Sequence, residues 1–170
     1  MDLKPYIRDV PDFPQPGVLF RDITPLLADP DAFRYAVDAL AAAYHPGELD
    51  AIVGIESRGF LFGAPLAYRL SLPLIPVRKA GKLPWEVMSV EYALEYGSNK
   101  LDIHKDALQR GQKVAIVDDV LATGGTAEAA APLVERLGAQ VRAMLFLVEL
   151  DFLAGRKRLQ GYEIRSLVKY

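Results

Sequence analysis

Val114-Ala115-Ile116-Val117-Asp118-Asp119-Val120-Leu121-Ala122-Thr123-Gly124-Gly125-Thr126 begins as an apolar run, delivers two acids, and passes through small residues into a helical pattern. Strand, acidic end, glycine loop and helix, in that order, describe the carboxyl end of a strand in an open α/β sheet. That is where such sheets bind ligands. Gly124 and Gly125 have no side chain to block close approach and can take positive φ. Their N–H groups can wrap a phosphate, and the helix N-terminus adds about half a positive charge. Thr123 and Thr126 add hydroxyl donors, and Asp118 and Asp119 suit the hydroxyls of a ribose. The expected ligand is a phosphorylated ribose. No lysine follows the glycines, so this is not a Walker loop, and the Gly-x-Gly-x-x-Gly spacing of a dinucleotide site is absent.

The remainder of the chain fits one α/β domain over residues 1–170. Its 170 residues can bury a sizeable core. A formal net charge of -2 gives no global attraction for nucleic acid or an anionic membrane. The chain has no cysteine and only His45 and His104, which excludes thiolate nucleophiles, zinc-thiolate centres and histidine-rich metal sites. A metal would be a hard cation on oxygens. The N-terminus carries no secretory pattern and no apolar stretch long enough to span a membrane, so the expected location is cytoplasmic.

Pro5, Pro11, Pro14, Pro16 and Gly17 predict an irregular arm ahead of Leu19, Phe20 and Arg21. Asp29 and Pro30 suit the start of a helix bearing Phe33, Val37, Leu40 and Tyr44 on one face and stopped by Pro46-Gly47, with His45 at its end. Ala51 to Ile55 reads as a buried strand, Phe60 to Leu70 as a helix and Leu72 to Val77 as a strand, which makes a right-handed parallel unit. Met88 to Leu94 alternates as a half-exposed antiparallel strand. Gly97-Ser98-Asn99 is its turn and Leu101 to His104 its return. Glu95 shares a face with Glu91 and Ala93, so it can point into a covered site. Lys113 to Val117, Val141 to Val148 and Tyr162 to Val168 read as strands. A helix from about Thr126 is stopped by Gly138, and Pro132 within it predicts a kink. Arg78, Lys79 and Lys82 cluster as a local anion clamp, and Arg58 follows the strand ending at Ile55.

The opening stretch resembles the 5-phosphoribosyl 1-diphosphate (PRPP) motif of the type I phosphoribosyltransferase family. The resemblance extends over nearly the whole chain. Phe13-Pro14-Gln15-Pro16-Gly17-Val18-Leu19-Phe20-Arg21-Asp22-Ile23-Thr24, Glu56-Ser57-Arg58-Gly59-Phe60-Leu61-Phe62-Gly63, Arg78-Lys79-Ala80-Gly81-Lys82-Leu83-Pro84 and Tyr92-Ala93-Leu94-Glu95-Tyr96-Gly97 are similar to blocks of its adenine-specific members. It implies a mostly parallel central sheet flanked by helices, a small hood over about 1–28 and a mobile antiparallel lid over about 83–104. It implies transfer of the phosphoribosyl group of PRPP to adenine, giving AMP and pyrophosphate in purine salvage. Residues 122–126 (Ala122, Thr123, Gly124, Gly125, Thr126), with Asp118 and Asp119, would hold the ribose 5-phosphate. The two acids would also help hold Mg2+ indirectly, through water and PRPP. Phe20 would stack on adenine, with backbone near Leu19 and Arg21 reading its edge. Arg58, Lys82 and Arg78 would take pyrophosphate, Arg78 reaching across a homodimer interface. Glu95 would be the catalytic acid/base at adenine N7, with Tyr96 beside it in the substrate site.

Two other functions compete. A 6-oxopurine transferase of the same family usually carries a lysine near the last sheet strands, and Leu147-Val148-Glu149-Leu150-Asp151 has none. A PRPP-binding regulator usually adds a DNA-binding domain, for which this chain has neither spare length nor a basic stripe.

Overall fold

The computed structural model describes residues 1–93 and 98–170. Its centre is a seven-stranded sheet built from β3 (Ala51–Ile55), β4 (Leu74–Lys79), β5 (Val87–Ala93), β6 (Ser98–His104), β7 (Lys113–Leu121), β8 (Gln140–Glu149) and β9 (Ile164–Lys169), in the order β5-β6-β4-β3-β7-β8-β9. The five strands β4-β3-β7-β8-β9 run parallel, while β6 and β5 add antiparallel to the β4 edge. The central parallel strands β3, β7 and β8 are buried on both faces, which explains unbroken apolar runs such as Ala143 to Val148.

Strand periodicity divides the interior in two. Ile52, Ala115, Val117, Ala143, Leu145 and Leu147 face α2 (Pro30–Ala41) and α3 (Gly59–Leu70). Val53, Ile55, Val114, Ile116, Met144 and Phe146 face α4 (Gly125–Arg136). The helices following β3 and β7 thus lie on opposite faces, and the crevice between those two strand ends is the topological switch point where open α/β sheets bind ligands.

Local signals explain most boundaries. The Asp29 carboxylate accepts from the N–H groups of Asp31 at 3.0 Å and Ala32 at 2.9 Å and so caps α2. Such a cap contributes about 1 kcal/mol. The helix ends at Ala41, before Pro46-Gly47, so His45 lies in an exposed turn beyond it. β4 starts and ends two residues later than expected, which places Arg78 and Lys79 on the strand itself. β7 runs on to Leu121, so Asp118 and Asp119 are strand residues, not the start of a loop. α4 continues through Pro132, as α3 does through Pro65.

The N-terminal arm is not irregular. β1 (Arg8–Pro11) pairs antiparallel with β2 (Leu19–Asp22), and α1 (Thr24–Ala28) follows. Pro11 is tolerated because it closes an edge strand, where its missing N–H costs no ladder bond. Arg21 ties this hood down. It pairs with Asp9 and lies 3.7 Å from the ring centre of Tyr170, at the far end of β9.

β5 and β6 pair along their whole length, from Val87↔His104 to Ala93↔Ser98. Ser98 and Asn99 therefore belong to a strand, not a turn. β6 is joined to β4 through Arg78↔Asp102 and Lys79↔Leu101. Within the span read as a lid, the return strand is thus fixed to the sheet, with Leu101 and Ile103 buried.

A buried ion pair closes the far end of β8. Glu149 is 2% exposed and receives two bonds from the Arg156 guanidinium, one of them from Nη2 at 2.7 Å. Ser166 Oγ also donates to it, and Lys169 Nζ lies 3.6 Å away. The Arg156 bonds outweigh burial and hold the Glu149 carboxyl down at about 2. A carboxyl that ionises lower when folded stabilises the fold above its unfolded value. That stability is lost as pH falls from 4.5 to about 2. We expect Glu149→Gln to cost about 2–3 kcal/mol at neutral pH, allowing for the partial exposure of Arg156. Urea unfolding at pH 7 and pH 3 checks this. The wild-type advantage shrinks at the lower pH.

Candidate active site

The switch-point crevice collects residues from the β3–α3 connection, β4, β5, β6, β7 and α4, with Phe20 of the hood beside Arg58. At its floor, Asp119 is 3% exposed and Asp118 half-buried, with the Asp119 N–H donating to Asp118 Oδ1 at 2.8 Å. Arg58 Nε lies 2.8 Å from Asp119 Oδ2, yet no N–H is aimed at that oxygen, which is buried without a hydrogen bond. A buried carboxylate oxygen that faces a cation without an aligned hydrogen bond is held at a cost. Burial, with the neighbouring Asp119 charge, pushes the Asp118 carboxyl well above the ordinary carboxylate range. Burial also raises Asp119, against the opposing charge of Arg58. Two adjacent acids in this state favour the arrival of positive charge.

Close packing places these acids beside α3. A Cβ on Gly59 would stand 2.6 Å from Val117 O and 3.1 Å from Asp118 Cα. Only glycine lets the first turn of α3 rest on β7 there, and Arg58 is held over the acids as a result.

The next residues form the cradle. Gly124 has φ 85° and opens α4 with no side-chain cap. The contrast with the Asp29-capped α2 is informative. The first-turn N–H groups of α4 are left for another acceptor. A cavity of about 70 Å³, lined by Asp118, residues 120–127 and Phe146, sits at this terminus. A second cavity, of about 250 Å³, adjoins it. Arg58, Lys79, Tyr92, Asn99, Asp119 and Thr126 are among its lining residues.

The hood closes one side. Phe20 is half-buried, packs edge-on against Phe13 at 5.1 Å, and its ring centre lies 5.4 Å from Arg58 Cζ. Leu19 is 44% exposed beside it. The Arg21 side chain is occupied by Asp9 and Tyr170, so only its backbone is free to meet a ligand.

The basic cluster has a partner that the sequence reading missed. Glu56 accepts from Arg78 Nε at 3.3 Å, from the Lys79 N–H at 2.9 Å and from Lys82 Nζ. Burial works to raise its carboxyl, but these bonds and charges together hold it below the usual range. On the other side, buried Asp102 accepts from the Gly81 N–H at 3.1 Å and from Ser89 Oγ at 2.6 Å. The segment 78–82 is thus gripped by two acids. Tyr92 was missed too. It lines the larger cavity, whereas Glu91, on the face expected to look into a covered site, is exposed. Glu95 and Tyr96 lie outside the described residues. A larger cavity, of about 530 Å³, is lined by Tyr44, Arg69 and Leu72 and holds none of these groups.

Among the described residues, no three acids or histidines come together as a metal cluster, and no helix is long and apolar enough to cross a membrane. Comparison with known proteins agrees with the geometry. A family model described as a phosphoribosyl transferase domain matches residues 27–167. An adenine phosphoribosyltransferase of Carboxydothermus hydrogenoformans is 60% identical over 170 residues, covering 100% of both chains. One of Roseiflexus sp. is 58% identical over 99% of this chain and 98% of its own. The crystal structure of the enzyme from Thermoanaerobacter pseudethanolicus superposes with a TM-score of 0.95 at 57% identity, covering 99% of this chain and 98% of that one. The Saccharomyces cerevisiae enzyme, solved with adenine and an imino-altritol bisphosphate, gives 0.92 at 45% identity, covering 97% and 96%. This chain belongs to the phosphoribosyltransferase family, among its adenine phosphoribosyltransferases.

Proposed function

We propose that this protein transfers the 5-phosphoribosyl group of PRPP to adenine, releasing AMP and pyrophosphate. One observation carries the reading. The uncapped N-terminus of α4, the paired acids, Arg58 and the hood aromatic Phe20 converge on one crevice. The 5-phosphate binds the N–H groups of residues 122–126 with the hydroxyls of Thr123 and Thr126. Asp118 and Asp119 accept from the ribose hydroxyls. Phe20 stacks on the base, and backbone at Leu19 and Arg21 reads its edge.

The C1′–O bond to pyrophosphate breaks, and its electron pair leaves on oxygen. Adenine N9 forms the new bond from the opposite face of an oxocarbenium-like centre, and the proton the base loses passes to Glu95 through N7. Arg58, Lys82 and Arg78 receive the developing charge on pyrophosphate. Asp118 and Asp119 would suit an indirectly held Mg2+, since both acids line the larger cavity of the crevice. When bound, the ion neutralises diphosphate charge. Closure of the lid read over about 83–104 would exclude water, which would otherwise hydrolyse PRPP.

The proposal includes a homodimer in the cytoplasm, with Arg78 reaching the neighbouring pyrophosphate. Exposed Leu61, Tyr68 and Leu74 on α3 and β4 supply an apolar surface for a second copy. Glu56 then orients the clamp. Glu56→Gln should raise the KM for PRPP about tenfold while changing kcat less, because Arg78 and Lys82 lose a shared anchor. Initial rates against PRPP check this.

Competition among bases tests the specificity. Adenine should be used in preference to hypoxanthine and guanine, and a clear preference for either 6-oxopurine would overturn the assignment. Glu149, the acid in the region where a 6-oxopurine enzyme would offer a lysine, is buried and held by Arg156, which supports adenine.

A further inference from the structure

The phosphate cradle has little of its own to hold its shape. Residues 122–125 are small, and Gly124 sits at positive φ. Its rigidity comes from a segment much later in the chain. After β8, the chain turns through Ala154 (φ 53°) into a short 3₁₀ helix, Gly155–Arg158. There Gly155 packs directly on the cradle. A Cβ on Gly155 would lie 2.3 Å from Ala122 O and 2.9 Å from Leu121 Cδ1. In return, a Cβ on Gly124 would lie 2.7 Å from Gly155 O. Two glycines thus meet backbone to backbone, and a side chain on either would push the loop away.

This support is itself anchored. Arg156 holds Glu149 through its fork and donates from Nη1 to Ile164 O at 3.2 Å. Arg158 Nη1 reaches Glu128 Oε2, in the first turn of α4, at 3.2 Å. Leu159, next in the chain, is 1% exposed. The end of β8, the turn and the start of α4 are therefore locked around the cradle.

We propose that Gly155, anchored by Arg156, is a positioning residue that fixes the N–H groups of 122–125 in the geometry a 5-phosphate needs. The inference rests on the cradle reading above. Displacing reacting groups by about 1 Å costs on the order of 100-fold. Gly155→Ala should therefore weaken binding of ribose 5-phosphate, and raise the KM for PRPP, by about 10- to 100-fold. The KM for adenine and the kcat at saturating PRPP should change little. This selective loss is what a merely structural role would not produce.

The test is calorimetric titration with ribose 5-phosphate, together with steady-state rates and the thermal midpoint. Lys157→Ala, an exposed neighbour, serves as the unchanged control. If Gly155→Ala folds and binds ribose 5-phosphate as tightly as wild type, the inference is overturned. It is also overturned if both KM values and kcat deteriorate together. Should Gly155→Ala not fold, Arg156→Lys keeps the charge but loses the fork. It must then show the same selective loss in smaller measure, and unchanged PRPP kinetics would overturn the inference. Wild type failing to bind ribose 5-phosphate would overturn the cradle reading and this inference with it.

Discussion

Asp119→Asn should lower kcat/KM for PRPP by about 100- to 1000-fold, the scale of losing one aimed electrostatic group in a closed site. It should also make the protein more stable at neutral pH. Both effects come from one arrangement. Asp119 is buried beside Asp118, and one of its oxygens receives no hydrogen bond. That oxygen is buried against Arg58 Nε at 2.8 Å, so a ribose hydroxyl or the water around a cation reaches it only where Arg58 gives way. Without a ligand, the pair carries repulsion and burial that Arg58 offsets only in part. The folded carboxyls ionise above the unfolded value of 3.8. Their contribution to stability is complete below 3.8 and is lost as pH rises through the raised values. The variant's advantage should therefore open with rising pH and vanish in acid. A gain of roughly 0.5–2 kcal/mol is expected near neutrality. Thermal midpoints at acid and neutral pH, measured beside initial rates, check both halves. A variant that is less stable and equally active contradicts the assignment of strain to function.

Glu95→Gln should lower kcat by about 100- to 10,000-fold, the range for a removed general acid/base, with the KM for PRPP little changed. The amide keeps the shape and cannot take a proton. Glu95 lies in the four residues joining Ala93 to Ser98, which are paired across the β5–β6 hairpin. The hairpin borders the crevice through Tyr92 and Asn99. A carboxyl brought into that space and closed off from water would have a raised pKa and could exchange a proton near neutrality. The pH–rate profile is the sharper reading, because the variant should lose the limb that reports this group. Unchanged turnover would remove Glu95 from the chemistry and leave electrostatics and positioning to carry the rate.

How much of this could be read from the chain alone depends on the range of the interaction. β3, β7 and β8 were legible because strands buried on both faces read as short apolar runs. Asp29-Pro30 was legible because a cap is local. The strand–loop–helix from β7 to α4 was legible because a strand end, glycines and a helix start are contiguous. The hood hairpin was not, because proline at an edge strand and proline in a loop look alike until the partner strand is known. α1 was missed because a five-residue helix has no periodicity to detect. The reach of β7 past its acids was missed because Asp118 and Asp119 interrupt the apolar pattern while the ladder with β8 continues to Leu121↔Glu149.

Among site residues, those proposed to meet the ligand belong to recognisable motifs. Those that hold them in place do not. Glu56 stands in the same motif as Arg58, yet its grip on Arg78, Lys79 and Lys82 depends on β3 and β4 being neighbours. Asp102 looks like any strand acid until β6 is laid beside β4. Gly155 has meaning only once Ala122 O is seen against its Cα. Gly155-Arg156 a few residues after Glu149, the acid that ends β8, was the available signal, an unexplained glycine before a charged run.

The central claim is that one crevice joins a phosphorylated ribose to a purine. AMP formation from adenine and PRPP, followed with Mg2+ and after its removal by a chelator, tests it most directly. The account predicts AMP and pyrophosphate in equal amounts with Mg2+, and a rate that collapses without it and returns on its addition. Binding of PRPP with no AMP formed under any of these conditions would contradict the account and leave the fold as a PRPP-binding module.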